Sequence, residues 1–547
     1  MGSLFVVSLI TLGILLSFVF SILILTMLVI GTIDIWIAIA FTVIINFFLW
    51  LFGPWFTDLI NKWFYKVRFL KQDEFSATYP DLARAMSEVS SAYHFPIPKI
   101  GIIPDKNPTA FTYGSGRWNA RLILTEGIFH FLSPDEVKAV VIHELGHIRN
   151  RDFIVMMIGS TIIQILYQLY FALTRSSTDS KKGDYLKAVG LLAYVFYILG
   201  TFILLFLSRT REYLADQFSA EVTKDPHHLA TALIKIAYGI VTTEDSDSTK
   251  SLLQSTRHLG IVDVKNAKQI GVASYISHQD PAVLSEVMVF DRVSPWAKLI
   301  ELNSTHPLNG KRIGRLGELA KKLGKAFPYD VEQAITRLQV DKGRLGRGFA
   351  LGLIIFLLPV LAVAAGLGLT AFGMPWPIIL TLFGLAMLVQ VIYRFPQAAA
   401  VTSTVLDEMR NPYASPVRGR KISLEGQAVG RGVPGFIFGE DLMFQDKTGL
   451  IFLDYNSIFG FIGDLFFALG KIKSLLGQKA TAEGWFFRGL GSSLSLTKLQ
   501  TSAATVHSHP VFWGVALPVV LIGLSFLLLT LSSQPIDTPS SYLEYLP

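Results

Sequence analysis

The chain has 547 residues, a formal net charge of +7, 51% hydrophobic but only 16% charged residues, and no cysteine. Its mean hydropathy of +0.47 excludes an ordinary soluble globular protein and points to a membrane protein with sizeable polar domains. Without cysteine there are no disulfides and no thiolate metal ligands, so a metal here is held by His and carboxylate, a donor set that favours a catalytic over a structural site. The basic excess is accounted for by residues flanking membrane spans and requires no nucleic acid.

Apolar runs of about 20 residues predict seven spans: Leu4–Ile30, Ile35–Phe52, Phe153–Leu173, Val189–Leu207, Phe349–Gly368, Trp376–Tyr393 and Val511–Leu531. The first lacks a basic n-region and is longer than a signal-peptide core, so it reads as an anchor. Lys62, Lys66, Arg68 and Lys71 follow the second span, Arg209 and Arg211 the fourth, and Arg394 the sixth; Lys342, Arg344 and Arg347 precede the fifth. This bias puts the N-terminus and the large domains in the cytosol, with the C-terminus outside. The basic loop around Arg175, Lys181 and Lys182 runs against that assignment.

Between the second and third spans, Phe111 and Tyr113 alternate with Ala110 and Thr112. Ala110–Tyr113 is therefore either a sheet edge able to pair with an extended chain or an ordinary core strand. Further on, Ser133-Pro134-Asp135-Glu136 offers an N-cap, a proline at the first helical position and an acid three residues after the cap. Val137, Val140, Val141, Leu145 and Ile148 continue as an apolar helical stripe.

On that helix, His143-Glu144-Leu145-Gly146-His147 reads His-Glu-x-x-His, the zinc-binding signature of metallopeptidases. Residues four apart share a helix face, so both imidazoles can reach one metal, and Glu144 can act as general base. The plain alternative is an amphipathic helix with two surface histidines.

A peptidase zinc needs a third protein ligand. Ser208–Asp216 continues the fourth span, with Glu212 and Asp216 on one face. His147 precedes the third span by roughly 9 Å of helix and Glu212 follows the fourth by roughly 7.5 Å. Antiparallel neighbours would bring them to similar depth. Glu212 is then the third ligand, or else a solvated charge at a basic helix end. Asp216 and Asp152 are candidates to accept a ring N–H from a ligand histidine, or to pair with Arg151, Arg209 or Arg211.

The stretch from Glu244–Lys250 to Ser285 lacks clear periodicity and reads as a cover over a cleft or a plain surface loop. From about Phe395 to His509 the chain looks β-rich, with strands near Lys421–Val429, Phe436–Phe438, Leu442–Phe444, Leu450–Tyr455, Ala480–Arg488 and Leu494–Leu499 and a turn at Asp446–Gly449. Such strands suggest a small closed barrel, OB-like. Ile458–Leu469 is very apolar and is either an interfacial helix or barrel core.

Taken together, these residues resemble the HtpX-type membrane zinc metallopeptidases over roughly Leu4 to Leu316. The likeness rests on two N-terminal spans, His143–His147 followed by Arg149-Asn150-Arg151-Asp152, a hydrophobic pair, then Glu212-x-x-x-Asp216. Asn107–Gly114 resembles the family's Asn-Ala-Phe segment, although Thr109 stands where the family usually has Asn. Thr305-His306-Pro307, followed by Lys311-Arg312-Ile313, is similar to its late His-Pro segment. The related CAAX prenyl endopeptidases place the motif after several spans rather than two.

The resemblance implies ATP-independent cleavage of membrane proteins, often damaged or misfolded, at the cytosolic face of a prokaryotic plasma membrane. The expected site is one Zn²⁺ per chain on His143, His147 and Glu212, with Glu144 as base. His306, Arg312 and Tyr213 are candidate donors to the oxyanion, and Ala110, Phe111, Thr112 and Tyr113 a candidate substrate strand.

The expected fold is a polytopic α-helical membrane protein with a mainly α, cytosolic, zincin-like protease domain and a small OB-like C-terminal β-barrel. Its expected parts are a hairpin (1–53), a protease domain (54–348) interrupted by a helix pair (153–207), a second hairpin (349–393), the β domain (394–510) and a last span with its tail (511–547). Expected partners are polypeptides and the bilayer, with no nucleic acid and an oligomer left open. A non-catalytic scaffold binding through the β domain, and a transporter, are the competing classes. Intact Glu144 and Glu212 argue against the first, and the scarcity of intramembrane charge against the second.

Overall fold

The computed structural model describes residue 18 and residues 34–174, 181–242, 280–431, 441–489, 492–502 and 504–532. The chain divides into two compact units, Met1–Val340 and Asp341–Pro547. The expected first span lies outside the described residues apart from Phe18.

The first unit begins with α1 (Asp34–Phe64), whose 31 residues run well past the expected end at Phe52. A helix of that length is about 46 Å long, more than a hydrocarbon core of about 30 Å, and its Thr42–Phe64 stretch is long and apolar enough to cross one. Strand β1 (Arg68–Phe69) and helices α2 (Gln72–Thr78) and α3 (Pro80–Ala92) follow. Strands β2 (Lys99–Ile103), β3 (Ala110–Tyr113) and β4 (Arg121–Thr125) complete a sheet of order β1-β2-β4-β3. β3 runs antiparallel to β4 and forms the sheet's edge.

Strand alternation sends Ile100, Ile102, Ala110, Leu122 and Leu124 into the helical core. On the other face, Phe111, Tyr113 and Ile123 pack with Tyr65 and Val67 after α1. Tyr113 donates its hydroxyl to Asp58 at 2.8 Å, and Asn61 donates to Tyr113 at 3.1 Å. Arg121 and Lys99 also bind Asp58, at 3.0 and 3.2 Å. The edge strand is thereby tied to the last turns of the membrane helix.

Helix α4 (Glu126–Phe131) leads into α5 (Pro134–Arg149), which carries the His-Glu-x-x-His motif. Its start has the expected form: Ser133 and Glu136 make the reciprocal cap, and Pro134 opens the first turn. α5 stops at Arg149, and Arg151 turns the chain with φ +59° into α6 (Asp152–Thr174). His147 is therefore not on a helix continuous with the span, contrary to the depth estimate from sequence. α7 (Lys181–Thr223) is one helix of 43 residues, about 64 Å long. It starts eight residues earlier than expected and continues through Glu212 and Asp216.

Helices α8 (Pro226–Thr242), α9 (Pro281–Val293), α10 (Pro295–Leu302), α11 (Asn309–Lys322) and α12 (Val331–Arg337) close the core. The aperiodic reading up to Ser285 is corrected: Ser285 sits buried in α9, and residues 243–279 lie outside the described residues.

The second unit opens with α13 (Lys342–Ala371) and α14 (Ile378–Arg394). The expected span Trp376–Tyr393 begins two residues late, because Trp376 and Pro377 belong to the turn, and α14 has only 17 residues. Strand β5 (Val401–Thr402) and α15 (Val405–Arg410) precede β6 (Arg420–Arg431), β7 (Leu442–Gln445) and β8 (Leu450–Asp454). Then come α16 (Gly460–Gly470), α17 (Ile472–Leu475), β9 (Lys479–Arg488), β10 (Ser492–Thr501), β11 (Thr505–His507) and α18 (Phe512–Ser532).

β6 pairs with β7, β7 with β8, β8 in parallel with β10, β10 with β9, and β9 with β6. The ring closes, so these strands form a barrel. Asp446 accepts from Thr448 and Gly449 and makes the predicted turn. Phe436–Phe438 lies outside the described residues, and β5 and β11 are strands that the sequence reading lacked.

α14 packs against both α13 and α18. Gly384 lies against Pro518 and Ile522, and Ser525 donates to the carbonyl of Pro377 at 2.6 Å, the small-residue and polar contacts typical of helices in lipid.

Among the described residues, five helices are long and apolar enough to cross a membrane: within α1, α6, α7, α13 and α18. α14 is a shorter apolar helix. The protein is an integral, multi-pass membrane protein.

Candidate active site

His143 and His147 project from one face of α5, with their Nε2 atoms 3.2 Å apart. The Glu212 carboxylate, from α7, lies 3.7 Å from His143 Nε2 and 3.5 Å from His147 Nε2. A tetrahedral ion with ligands at 2.0–2.1 Å separates its donor atoms by about 3.3 Å. The three groups span that size of triangle. The Glu144 carboxylate lies within 4.8 Å of the donor atoms of both histidines.

What lets α7 come so close is Gly146, one of the unspecified positions of the motif. A Cβ there would sit 3.1 Å from the Ala215 Cα and 3.1 Å from the Phe218 ring. Gly146 and Ala215 are small where the two helices touch, so Glu212 reaches the histidine face.

The outer shell is completed by carboxylates. Asp152 Oδ2 lies 2.6 Å from His147 Nδ1, and Asp216 Oδ1 lies 3.0 Å from His143 Nδ1. Each carboxylate has its own guanidinium. Arg211 lies 2.9 Å from Asp152, and Arg312 approaches Asp216 through Nε at 2.9 Å and Nη2 at 2.7 Å. Arg312 Nη1 is also 3.3 Å from Glu212. Asp152 thus takes both partners that the sequence reading offered as alternatives, while Arg209 takes neither acid. It donates instead to the carbonyls of Glu301 and Ser304, at 2.8 and 2.7 Å, and pins the loop that carries His306.

His306 Nε2 lies 3.6 Å from Glu212, and Thr305 Oγ1 is 2.9 Å from its Nδ1. Of the candidate oxyanion donors, His306 faces the centre. Arg312 is held by Asp216 and Glu212, and Tyr213 lies under Arg315, whose guanidinium is 4.7 Å from its ring.

Thr112 donates to Glu144 Oε2 at 2.9 Å. All four side chains of β3 are buried, so the strand lies at the edge by topology while its side chains pack inward. Strand alternation was the signal that could have found the Thr112 contact: Thr112 shares the face of Ala110 toward α5. No sequence signal pointed to Asp58, which lies 55 residues from Tyr113.

Glu144, Glu212, Asp152 and Asp216 are all buried, against Arg312, fully buried, and Arg211, nearly so. With neutral histidines, two negative charges remain uncompensated. Burial disfavours a charged His147, but the Asp152 hydrogen bond and the Glu212, Asp152 and Glu144 charges outweigh it and raise its pKa to about 9. Burial pushes the Glu144 carboxyl up against the pull of His147, His143 and the Thr112 hydroxyl. Glu144 Oε1 is buried without a hydrogen-bond donor, and Glu212 Oε2 makes no hydrogen bond, with only the Arg312 guanidinium beside it at 3.3 Å. A divalent cation among these donors would meet both the charge deficit and the unsatisfied oxygens.

Comparison with known proteins agrees. The model of peptidase family M48 matches residues 76–320. A protease HtpX homolog of Syntrophobacter fumaroxidans is 33% identical over 224 residues, 40% of this chain and 77% of that protein. Homologs from Pyrococcus abyssi and Aquifex aeolicus are each 30% identical, over 302 and 305 residues, covering 53% and 54% of this chain and 88% and 87% of theirs. The crystal structure of S. mikatae Ste24p is similar at a TM-score of 0.33 and 17% identity over 58% of this chain and 67% of that one, too low to bear on the argument. The chain belongs to the HtpX-type proteases of peptidase family M48, membrane-integrated metallopeptidases.

Proposed function

We propose that the protein is a zinc endopeptidase that cleaves membrane or misfolded polypeptides at the cytosolic face of a prokaryotic plasma membrane. The observation that carries this reading is the triangle of His143, His147 and Glu212, drawn from two helices and set among the buried carboxylates of Glu144, Asp152 and Asp216. In this reading these three residues hold one Zn²⁺. Asp216 and Asp152 fix the ring orientation of the two histidines through their Nδ1 atoms. The ion supplies Lewis acidity, which brings the pKa of water toward about 7 and polarises the scissile carbonyl.

Glu144 takes the proton of the attacking water and passes it to the leaving amine. Thr112, bonded to Oε2, leaves Oε1 free for that proton. His306 donates from Nε2 to the developing oxyanion. The outer edge of β3 pairs with an extended substrate, and its tie to Asp58 and Asn61 holds that edge near the membrane surface.

The domain reading follows the same lines. Residues 1–53 form a membrane hairpin, 54–348 the protease with its helix pair 153–207, 349–393 a second hairpin, 394–510 the barrel and 511–547 the last span and tail. The barrel is OB-like, supported by its ring order β6-β7-β8-β10-β9 and the helix between its third and fourth strands.

The test is zinc content and cleavage of an unfolded membrane protein by the full chain in lipid. Wild type carries one zinc per chain and loses cleavage to a chelator. Glu144→Gln keeps zinc and loses cleavage. A folded, zinc-free preparation that still cleaves would overturn the reading.

A further inference from the structure

Outside its long membrane helices and α14, the described part of the second unit leaves a strongly apolar helix face without a protein partner. On α16, Phe461 is 77%, Ile462 64% and Phe466 72% exposed, with Leu469 also exposed and Phe459, just before the helix, at 78%. These residues recur at helical spacing and form one stripe. The opposite face is packed: Phe467 and Ala468 are buried, and Phe467 stacks on Tyr455 at 3.8 Å. The helix is therefore not barrel core. Its one charged residue, Asp464, is turned inward and accepts from the Ser457 amide at 2.7 Å, so the stripe carries no charge.

The position of the helix says what covers the stripe. Gly460 lies against the Trp513 indole in the first turn of α18, the nearest ring atom being 3.5 Å from where a Cβ would stand. The loop before α16 is joined to the chain entering α18: the His509 amide donates to the Asn456 carbonyl at 2.7 Å, and the Asn456 amide donates to Ser508 at 2.9 Å. α16 thus starts at the level where the membrane helix begins. Phe512 and Trp513 are exposed there, as aromatic residues are at a bilayer boundary. Lys471, exposed just after the helix, offers a cation at headgroup depth.

We propose that α16 is an interfacial membrane helix, its Phe461–Ile462–Phe466–Leu469 stripe lying in the headgroup–acyl boundary beside the first turn of α18. The occupant of the stripe is lipid, and its surface is continuous with the lipid-facing side of α18. The barrel is then held to the membrane along a helix as well as at its chain ends, which limits its tilt.

The chain contains no cysteine, so a single introduced thiol can be labelled in the intact protein. Phe461→Cys and Phe466→Cys, each carrying an environment-sensitive fluorophore, are compared in lipid nanodiscs with Gln500→Cys, an exposed polar position of β10. At 461 and 466 the emission shifts to shorter wavelength than at 500, nitroxide-bearing lipid quenches it strongly, and aqueous iodide quenches it weakly. Emission at 461 and 466 matching that at 500, with full iodide quenching, overturns the proposal in favour of a solvent-exposed face. Protection from both quenchers also overturns it and assigns the stripe to a protein partner or a second copy. The labelled side chains are exposed, so folding is not at risk, and either position alone decides.

Discussion

Around His143 the protease unit buries four carboxylates and two guanidinium groups, whereas the barrel interior closes over Ile422, Leu424, Leu442, Phe444, Leu494 and Leu496. Both interiors are packed, but they answer to different physics. The barrel core gains stability from every apolar group removed from water. The charged cluster does not, since burying ions costs about as much as their pairing returns, and apolar replacements are often as stable. Charges kept at that cost and in that number are what the proposed metal site would require.

The contrast can be broken at several points. The largest effect is expected for Glu144→Gln, a loss of about 10²–10⁴ in kcat with unchanged zinc content and unfolding temperature. A matching loss of zinc would make Glu144 a ligand instead of a base. Arg312→Leu leaves Asp216 and Glu212 without their buried cation and should cost about 3–5 kcal/mol, read by chemical denaturation of the detergent-solubilised protein. A neutral outcome would mean that the metal alone balances the cluster.

Phe444→Ala in the barrel core is expected to cost a similar 3–5 kcal/mol, while zinc affinity stays at the wild-type value. Equilibrium zinc competition checks this, and a weakened affinity would end the separation drawn between the two interiors. Asp152→Asn should weaken zinc about 10–100-fold without global destabilisation. Thr112→Val is the smallest change. It removes one hydrogen bond worth about 1.5–3 kcal/mol when an ion accepts it, so kcat falls while KM and zinc content hold. A KM effect alone would make Thr112 a substrate contact.

Local chemistry was legible in the chain. Ser133 and Glu136 marked the start of α5, His143 and His147 fell on one face by spacing alone, and the Asp446 turn with its flanking alternation announced the β7–β8 hairpin. These depend on residues within a few positions of each other. The depth argument reached Glu212 by a route the structure does not follow, because Arg151 breaks the chain between motif and span.

Sequence by itself determined that this is a cysteine-free, many-spanned membrane protein with a His-Glu-x-x-His helix and a β-rich C-terminal part, since hydropathy, capping and periodicity are properties of short windows. Only the tertiary structure decided which acid serves which histidine, that Gly146 and Ala215 let Glu212 reach the site, that Arg312 is a clamp for Asp216, and that Thr112 holds Glu144. It also decided that the C-terminal strands close into a ring and that α16 turns Phe461 and Phe466 outward. Apart from Asp152 and His147, five positions apart, the paired contacts join residues tens of positions apart, and such contacts are set by how helices and strands pack, a choice that no local window records.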